Sequence, residues 1–339
     1  MMNGMTPQRL DEILEKFPRV KIAVVGDFFL DNYWVLEESL NEISLETGKV
    51  AYQVVAKRKS PGAAGTVSSV LRSLEINLFA VGFSGDDGLG YDLRREMQNR
   101  GMNLEYFFTF GDRFTPTYTK PMLRSHGVEE ELNRFDIKNR TPLSPTCEDQ
   151  LIAAIDEVIE KVDALIVLDQ VQERNCGVVT DRVRAHLAEL GAAREDRLIL
   201  VDSREHIAEF HNMGIKVNNF EARQIVGGTE EIPLSEVAAR LYEKNRRPVV
   251  VTRGEKGMLV CDQDGWYEVP TIRIEGPIDV VGAGDSVTAS LTAALCAGAN
   301  LREAALLGNV TASLIVQQIG TTGTATRAEV RERFCDRFI

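Results

Sequence analysis

The sequence predicts an α/β protein with a mostly parallel central sheet, helices on both faces of that sheet, and a small inserted β-sheet. The main observation is that short apolar runs, typical of buried strands, alternate with longer segments whose apolar residues recur at helical spacing. Residues 147–162, with helical spacing, are followed at once by the apolar run 163–168. Strands that alternate with helices favour parallel pairing with helices on both faces.

The elements can be assigned in order along the chain. Thr6 can cap the first helix, Pro7 suits its first turn, and Leu10 and Phe17 share its apolar face. The complete prediction comprises helices at residues 7–17, 63–75, 88–101, 147–162, 284–298, 301–318 and 326–338, another helix between the third and fourth strands, and strands at residues 21–26, 77–83, 163–168, 197–202 and 248–252.

Two segments interrupt this alternation. They contain period-two stretches, such as residues 50–55, and no crossover helix. We therefore assign residues 35–58 and 105–136 to a β-sheet lid. The α/β domain then comprises residues 1–34, 59–104 and 137–339.

Composition and charge exclude several classes of function. The chain of 339 residues has a formal net charge of −12 and no basic stripe, which argues against a nucleic-acid partner. Its five cysteines include no C-x-x-C pair, which argues against a disulfide framework and fits a reducing compartment. The N-terminus has no signal-peptide core, and the longest mostly apolar stretch, 291–299, is too short to span a bilayer. We expect a cytoplasmic protein with no membrane partner.

The most informative stretch is residues 279–286, Asp-Val-Val-Gly-Ala-Gly-Asp-Ser, directly before an apolar helix. Gly282, Ala283 and Gly284 have almost no side chain, so their backbone N–H groups can surround an anion at the positive end of the helix dipole. A carboxylate beside that anion, Asp285, is unfavourable unless it has a function. Accepting the proton of a hydroxyl that attacks the γ-phosphate of ATP is such a function. A tight turn in which Asp285 only caps the helix explains the pattern equally well.

Other catalytic and nucleotide signatures are missing from the sequence. There is no G-x-x-x-x-G-K-[ST] phosphate loop, no G-x-S-x-G nucleophile elbow and no H-E-x-x-H metal site. A dinucleotide fingerprint would require glycine at position 287, which is Val287.

Residues 279–286 resemble the C-terminal signature of the ribokinase-like (phosphofructokinase-B type) carbohydrate kinases. Further stretches resemble motifs of that family in the same order over residues 20–325. They are Gly26-Asp27-Phe-Phe-Leu-Asp31, Pro61-Gly62-Ala63-Ala-Gly65, the stretch 81–90, Lys216-Val-Asn218-Asn-Phe-Glu221, Thr252-Arg-Gly254-Glu-Lys-Gly257, and Asn309. The resemblance implies a ribokinase-like fold and a carbohydrate kinase in which Asp285 is the catalytic base beside Gly282, Ala283 and Gly284.

The resemblance also implies ligands. It assigns the sugar to Asp31, Asp27, Gly62, Ala63 and Thr66, where Thr66 replaces the asparagine usual in the family. It assigns ATP to Asn218, Glu221, Thr252, Gly254, Gly257 and Asn309. Glu221 would hold Mg²⁺ through water, since magnesium usually keeps several of its waters. A monovalent cation as a further cofactor is left open.

Within the family, residues 26–34, 43–46 and 132–136 are similar to those of the bacterial heptose 7-phosphate kinases. That similarity implies an acceptor that is already phosphorylated. The chain differs from these kinases at Ala63, at Thr66 and over residues 170–173.

Cationic side chains of the lid fit a phosphorylated acceptor. Lys120 and Arg124 lie four positions apart in a predicted strand and therefore point to the same face. Arg134 matches an arginine of the heptose kinases. We expect Lys120 and Arg134 to bind the phosphate of a sugar phosphate. Ordinary solvated charges are the alternative, because Glu129, Glu130 and Glu131 follow closely.

The leading hypothesis is ATP-dependent phosphorylation of a hydroxyl on a sugar or sugar phosphate, with a heptose 7-phosphate as first choice. A nucleoside or vitamin kinase of the same fold and a non-catalytic sugar-binding regulator are the alternatives. We also expect a homodimer through the lid, because a thin sheet has exposed edges and an apolar face that needs cover. The apolar lid residues that need cover are Val50, Tyr52, Val54, Phe108 and Phe110.

Overall fold

In the computed structural model, which describes residues 5–125, 128–320 and 322–338, the chain is built around a nine-stranded sheet. The strands are β1 (Lys21–Gly26), β2 (Phe28–Glu37), β3 (Glu42–Ile43), β4 (Val50–Ala51), β5 (Val54–Ala63), β6 (Asn77–Gly85), β7 (Asn103–Phe110), β8 (Thr117–Ser125), β9 (Val128–Glu131), β10 (Phe135–Ile137), β11 (Ala164–Asp169), β12 (Leu198–Ser203), β13 (Gly214–Asn218), β14 (Val249–Thr252), β15 (Met258–Asp262) and β16 (Gly265–Val269).

The α-helices match every helix that the sequence predicts. They are α1 (Pro7–Lys16), α2 (Ala64–Ser73), α3 (Gly88–Asn99), α4 (Pro145–Ile159), α5 (Asp181–Ala193), α6 (Asn219–Val226), α7 (Leu234–Asn245), α8 (Ala283–Cys296), α9 (Leu301–Ile315) and α10 (Arg327–Phe338). Thr6 caps α1 as predicted, because its side chain accepts the N–H of Arg9. Over the described residues, no helix combines the length and apolarity needed to cross a membrane.

The nine-stranded sheet has the order β16-β15-β14-β13-β12-β11-β1-β6-β7. The strands from β14 to β7 pair in parallel, and only β15 and β16 are added antiparallel at one edge. The predicted mostly parallel sheet is therefore confirmed. Strands β13, β15 and β16 and helices α6 and α7 are additions to the elements predicted from the sequence.

The alternation of side chains along each strand divides the core into two layers. In β1, Ile22 and Val24 pack with α1, α2, α8, α9 and α10 on one face of the sheet. Ala23 and Val25 pack with α4, α5 and α7 on the other face. Each strand is therefore apolar on both sides, which explains the continuous apolar runs of the sequence.

The lid is a second sheet of order β10-β8-β2-β5, with β9 paired to β8, and β3 and β4 form a separate small hairpin. Three predicted boundaries are wrong. Residues 59–63, assigned to the α/β domain, belong to the lid strand β5, which pairs with β2. Residues 105–110 belong to β7, which pairs with β6 in the main sheet, and the lid begins with β2 at Phe28 instead of residue 35. The reason is that β2 follows β1 after the single residue Asp27, so one apolar run contains the end of one sheet and the start of the other.

Candidate active site

The predicted site residues lie where the carboxyl ends of the parallel strands meet the first turn of α8. Open α/β sheets bind their ligands at this edge. The lid strands β2 and β5 join the main sheet beside β1, so the lid borders the same edge. The site is thus bordered by the strand ends of the main sheet, by the lid and by the start of α8.

Helix α8 begins with the geometry that an anion site requires. Gly282 caps the helix with φ +81°, a left-handed conformation that glycine adopts without strain. A Cβ atom at Gly284 would lie 3.2 Å from Nζ of Lys216, so the absence of a side chain keeps this space open. Gly282, Ala283 and Gly284 therefore present backbone at the start of the helix, as predicted.

Asp285 is half-buried in the first turn of α8, and the pKa of its carboxyl group is raised. Burial and the neighbouring Asp202 carboxylate raise the pKa of Asp285 from 3.8 to about 6, while Lys216 and Arg204 oppose the rise and Asp31 adds to it. Because the group is ionised at neutral pH but close to its pKa, it can accept a proton and release it again.

Asp202, at the end of β12, was not singled out from the sequence. Its carboxylate accepts a hydrogen bond of 2.5 Å from the buried Lys216. Burial disfavours the charged form of Lys216, but Asp202 and then Asp285 outweigh it and raise the pKa of the lysine. The signal that could have found Asp202 is a carboxylate at the carboxyl end of an apolar strand, 197–202.

Asn218 and Glu221 form a capping box at the start of α6. The Asn218 side chain accepts the N–H groups of Phe220 and Glu221, and Glu221 accepts the N–H of Asn218 at 2.7 Å. Burial raises the pKa of Glu221, and Asp202 acts in the same direction. Glu221 therefore caps α6 and also lies near Asp202. Its carboxylate adds negative charge to the centre of the site.

A cavity of about 810 Å³ opens beside the start of α8. It collects the predicted nucleotide residues Thr252, Gly254, Gly257 and Asn309, together with Ala283 and Gly284. Asn218 lines an adjoining cavity of about 570 Å³ that shares Thr252 and Gly254. The structure thus brings these residues together, while their contact with ATP stays a prediction.

Asn309 has a structural task within this cavity. Its side-chain amide donates to the carbonyls of Val269 and Pro270, at 3.2 and 3.0 Å. These bonds join α9 to the end of β16 and fix the cavity wall.

The predicted sugar ligand Asp31 lies on the lid strand β2 and is already paired. The ammonium of Lys120 lies 2.9 Å from Oδ1 of Asp31 and 3.2 Å from the hydroxyl of Tyr33. A Cβ atom at Gly62 would lie 2.4 Å from Oδ2 of Asp31, so a larger residue would displace the Asp31 carboxylate. Asp31 also influences the pKa of Asp285, which places the lid carboxylate near the predicted base.

Asp27 is placed differently from the prediction. Its side chain is 3% exposed and accepts the N–H groups of Gln170, Val171 and Val178 at 2.7 to 2.9 Å. The carboxylate is therefore used to hold the loop between β11 and α5 against the start of the lid. We do not retain Asp27 as a sugar ligand.

Three further predicted residues can be located. Ala63 has φ +52°, which is strained for any residue with a side chain, at the junction between the lid and α2. Thr66 is buried, and its Cγ2 atom lies 3.6 Å from the Cβ position of Gly282. Arg134 forms a bidentate pair with Asp136 and stacks on the ring of Tyr118, 4.4 Å from its centroid.

The carboxylates of the site bear on how a metal ion could be held. Across residues 5–125, 128–320 and 322–338, no group of three or more His, Cys, Asp or Glu side chains could hold a metal ion. The carboxylates of Asp202, Glu221 and Asp285 nevertheless outnumber the single buried Lys216, and the pKa values of Asp285 and Glu221 are raised. This excess negative charge fits a divalent cation that reaches the site with its own phosphate and water ligands.

The fold and the site define a class, a carbohydrate kinase with a ribokinase-like fold. The chain belongs to the pfkB family of carbohydrate kinases, whose model matches residues 21–327. It is 31% identical over 324 residues to the "Bifunctional protein HldE" of Wolinella succinogenes. The match covers 94% of this chain and 66% of that relative, so the chain spans slightly less than two thirds of the relative's length.

Solved structures confirm the fold. Escherichia coli phosphofructokinase-2, in complex with fructose-6-phosphate, is similar with a TM-score of 0.70 and 16% identity over 94% of this chain and 99% of that chain. Arabidopsis thaliana ribokinase, complexed with ribose and ATP, is similar with a TM-score of 0.67 and 17% identity over 93% and 98%.

Proposed function

We propose that the chain transfers the γ-phosphoryl group of ATP to a hydroxyl of a phosphorylated sugar, with Asp285 as the catalytic base. The observation that carries the proposal is the position of Asp285. It follows Gly284, which lines the cavity at the start of α8, and the Asp31 carboxylate of the lid influences its pKa, which at about 6 suits proton transfer near neutral pH.

ATP would occupy the cavity bounded by Thr252, Gly254, Gly257 and Asn309. Its phosphates would extend toward Asn218 and the first turn of α8, where the backbone N–H groups of Gly282 and Gly284 would bind them; the N–H of Ala283 already donates to the carbonyl of Val280 at 3.2 Å. Donors held in place by the helix stabilise the charge of the transferred group without reorganisation. Magnesium bound with ATP would neutralise phosphate charge, and Glu221 would contact it through water.

The acceptor would lie against the lid strands β2 and β8. Asp31 would accept hydrogen bonds from sugar hydroxyls, and Gly62 leaves it the space it needs. Lys120 and Arg134, on the same face as Asp31, would attract the phosphate of the acceptor. Their present partners are carboxylates, Asp31 and Asp136, which an incoming phosphate would replace. The likeness of residues 26–34, 43–46 and 132–136 to heptose 7-phosphate kinases makes a heptose 7-phosphate the first candidate.

The chain would act as a homodimer through the lid. Ile43, Leu45, Val50, Tyr52 and Val54 are exposed apolar side chains around the small hairpin of β3 and β4. A cluster of this kind in a thin sheet favours a second copy as its cover. Phe108 and Phe110 do not contribute, since both pack in the main sheet. We also propose a cytoplasmic location, which the five free thiols support.

The test is ADP release, measured by chromatography, on adding ATP, Mg²⁺ and a panel of sugars, sugar phosphates and nucleosides. A non-catalytic sugar-binding regulator would release none. Asp285→Asn should lower kcat by about 10²–10⁴-fold, the usual contribution of a general base. Asp264→Asn, an exposed carboxylate in the turn before β16, is the matched control and should leave kcat unchanged.

ATP affinity of Asp285→Asn should stay the same or improve, because a negative charge near the phosphates is removed. The assignment of Asp285 is wrong if this variant keeps more than about a third of the wild-type kcat.

A further inference from the structure

The cations at the centre of the site are almost all neutralised. Lys216 is held by Asp202 at 2.5 Å, and Lys120 is held by Asp31 at 2.9 Å. Farther along the same edge of the sheet, Arg174 and Arg184 are both held by Asp181 and Glu209. A nucleotide triphosphate brings several negative charges, so a cation with an unused charge is needed near Asp285.

Arg204 meets that requirement. It is exposed, and over the described part of the chain its guanidinium has no ion pair and no hydrogen bond. Its neighbour Glu205 is bound to Gln172 instead. An arginine left unpaired among so many paired ones is available for an anionic ligand.

The backbone fixes Arg204 at the middle of the sheet edge. Its N–H donates to the carbonyl of Asp169 on the adjacent strand at 2.9 Å. The intervening Ser203 is buried and donates its hydroxyl to the Asp169 carboxylate at 2.7 Å. Arg204 lies in a bend directly after β12, two residues from Asp202, whose carboxylate binds Lys216. Its charge acts on Asp285, as do those of Asp202 and Lys216.

This position lies between the two halves of the site. Strand β12 has β11 and β1 on its lid side, and β13 and β14 on the side of the nucleotide cavity. A phosphoryl group moving from the nucleotide to the acceptor must pass over the end of β12, beneath the first turn of α8.

We propose that Arg204 is a further catalytic residue, whose guanidinium binds the oxygens of the phosphoryl group during its transfer. In that step the acceptor oxygen forms a bond to the γ-phosphorus, the bond from that phosphorus to the β–γ bridging oxygen breaks, and ADP leaves. The acceptor proton passes to Asp285. A planar guanidinium can contact two phosphoryl oxygens at once, which an ammonium cannot. The inference rests on the proposed function and adds a residue to its chemistry.

The experiment compares Arg204→Gln and Arg204→Lys with the control Arg95→Gln, an exposed arginine on α3 away from the site. Initial rates of ADP formation give kcat and the KM values for ATP and for heptose 7-phosphate. We expect Arg204→Gln to lower kcat by about 10²-fold or more, as removal of a phosphoryl-binding cation or donor does elsewhere. Both KM values should change little, Arg204→Lys should keep part of kcat, and Arg95→Gln should match wild type.

A second readout separates this role from a structural one. Asp285 faces Asp202, Lys216, Arg204 and Asp31, and Arg204 is one of the two groups that lower its pKa. The acidic limb of the pH profile should therefore move to higher pH in Arg204→Gln and less in Arg204→Lys. A purely structural role would not move it.

The outcomes are distinct. If wild type forms ADP and Arg204→Gln keeps the wild-type kcat, the inference is overturned and the proposed function stands. A rise in KM for the acceptor alone also overturns it, because Arg204 would then bind the acceptor. If wild type forms no ADP with any acceptor, the proposed function fails, and the inference fails with it.

Discussion

The pH dependence of phosphoryl transfer tests the environment of Asp285 directly. The perturbation is a change from pH 7 to pH 5 in the wild-type enzyme. With a pKa of about 6, Asp285 is ionised to a fraction of about 10/11 at pH 7 and about 1/11 at pH 5. Activity that requires the ionised base should therefore fall about tenfold, since 10/11 divided by 1/11 is 10. An aspartate at the ordinary value of 3.8 would still be more than nine-tenths ionised at pH 5.

The assay is kcat/KM for the acceptor, from ADP formation between pH 5 and pH 8, because kcat/KM reports the pKa of the enzyme without bound acceptor. Substrate phosphates also titrate near pH 6, so the comparison with a variant carries the test. After burial itself, Asp202 is the largest cause of the raised pKa of Asp285, and Lys216 opposes the rise. Asp202→Asn removes the negative charge of Asp202 and frees the ammonium of Lys216, and both changes lower the pKa of Asp285. The acidic limb of the pH profile of this variant should therefore move to lower pH. A profile that is flat from pH 5 to pH 7, or limbs that coincide in the two enzymes, would refute the reasoning.

The remaining predictions concern the lid. Lys120→Ala should lower kcat/KM for heptose 7-phosphate by about 10-fold or more, the equivalent of one charged hydrogen bond. The kcat/KM for the unphosphorylated heptose should stay the same or rise, because Asp31 loses its ion pair with Lys120 and can bind sugar hydroxyls. Arg95→Ala is the control and should behave as wild type, because Arg95 is an exposed cation on α3 away from the site. Equal losses for both sugars in Lys120→Ala would contradict the phosphate role. Light scattering should show a dimer at micromolar concentration, and Leu45→Asp should shift it to the monomer; a wild-type monomer would contradict the lid interface.

The sequence predicts the layers of the fold because each strand of the main sheet is buried on both faces. Residues 163–168 therefore form one apolar run and become β11, Ala164–Asp169. Prediction is weaker at the lid, where strands are polar on one face and the boundary falls within an apolar run. Residues 103–110 illustrate this, since an aromatic stretch suited to a lid strand pairs instead with β6 and becomes an edge of the main sheet.

The site was predicted in a similarly uneven way. Motifs at strand ends and at the start of α8 predict Asn218, Thr252 and Asp285 as site residues, because several signals lie close together in the sequence. Pairings between distant residues could not be predicted. The contacts of Lys216 with Asp202 and of Lys120 with Asp31 join residues 14 and 89 positions apart, the second separation being 120 minus 31. Such contacts depend on which strands are neighbours in the folded sheets, and no local sequence pattern predicts them.

The proposed site is divided between two sheets. The proposed acceptor groups Asp31 and Lys120 lie on the lid sheet and are paired with each other, while the proposed nucleotide groups lie on the main sheet and α8. A change on the lid side can therefore alter which hydroxyl reaches Asp285 without disturbing the amides of the segment 282–284. The departures at Ala63 and over residues 170–173 border the lid, whereas Thr66 packs against the turn before α8, its Cγ2 atom 3.6 Å from the Cβ position of Gly282. In the proposed site, the groups for phosphoryl transfer and most of the groups for the choice of acceptor therefore lie on different sheets, so we expect substitutions in the lid to change the acceptor more than the transfer.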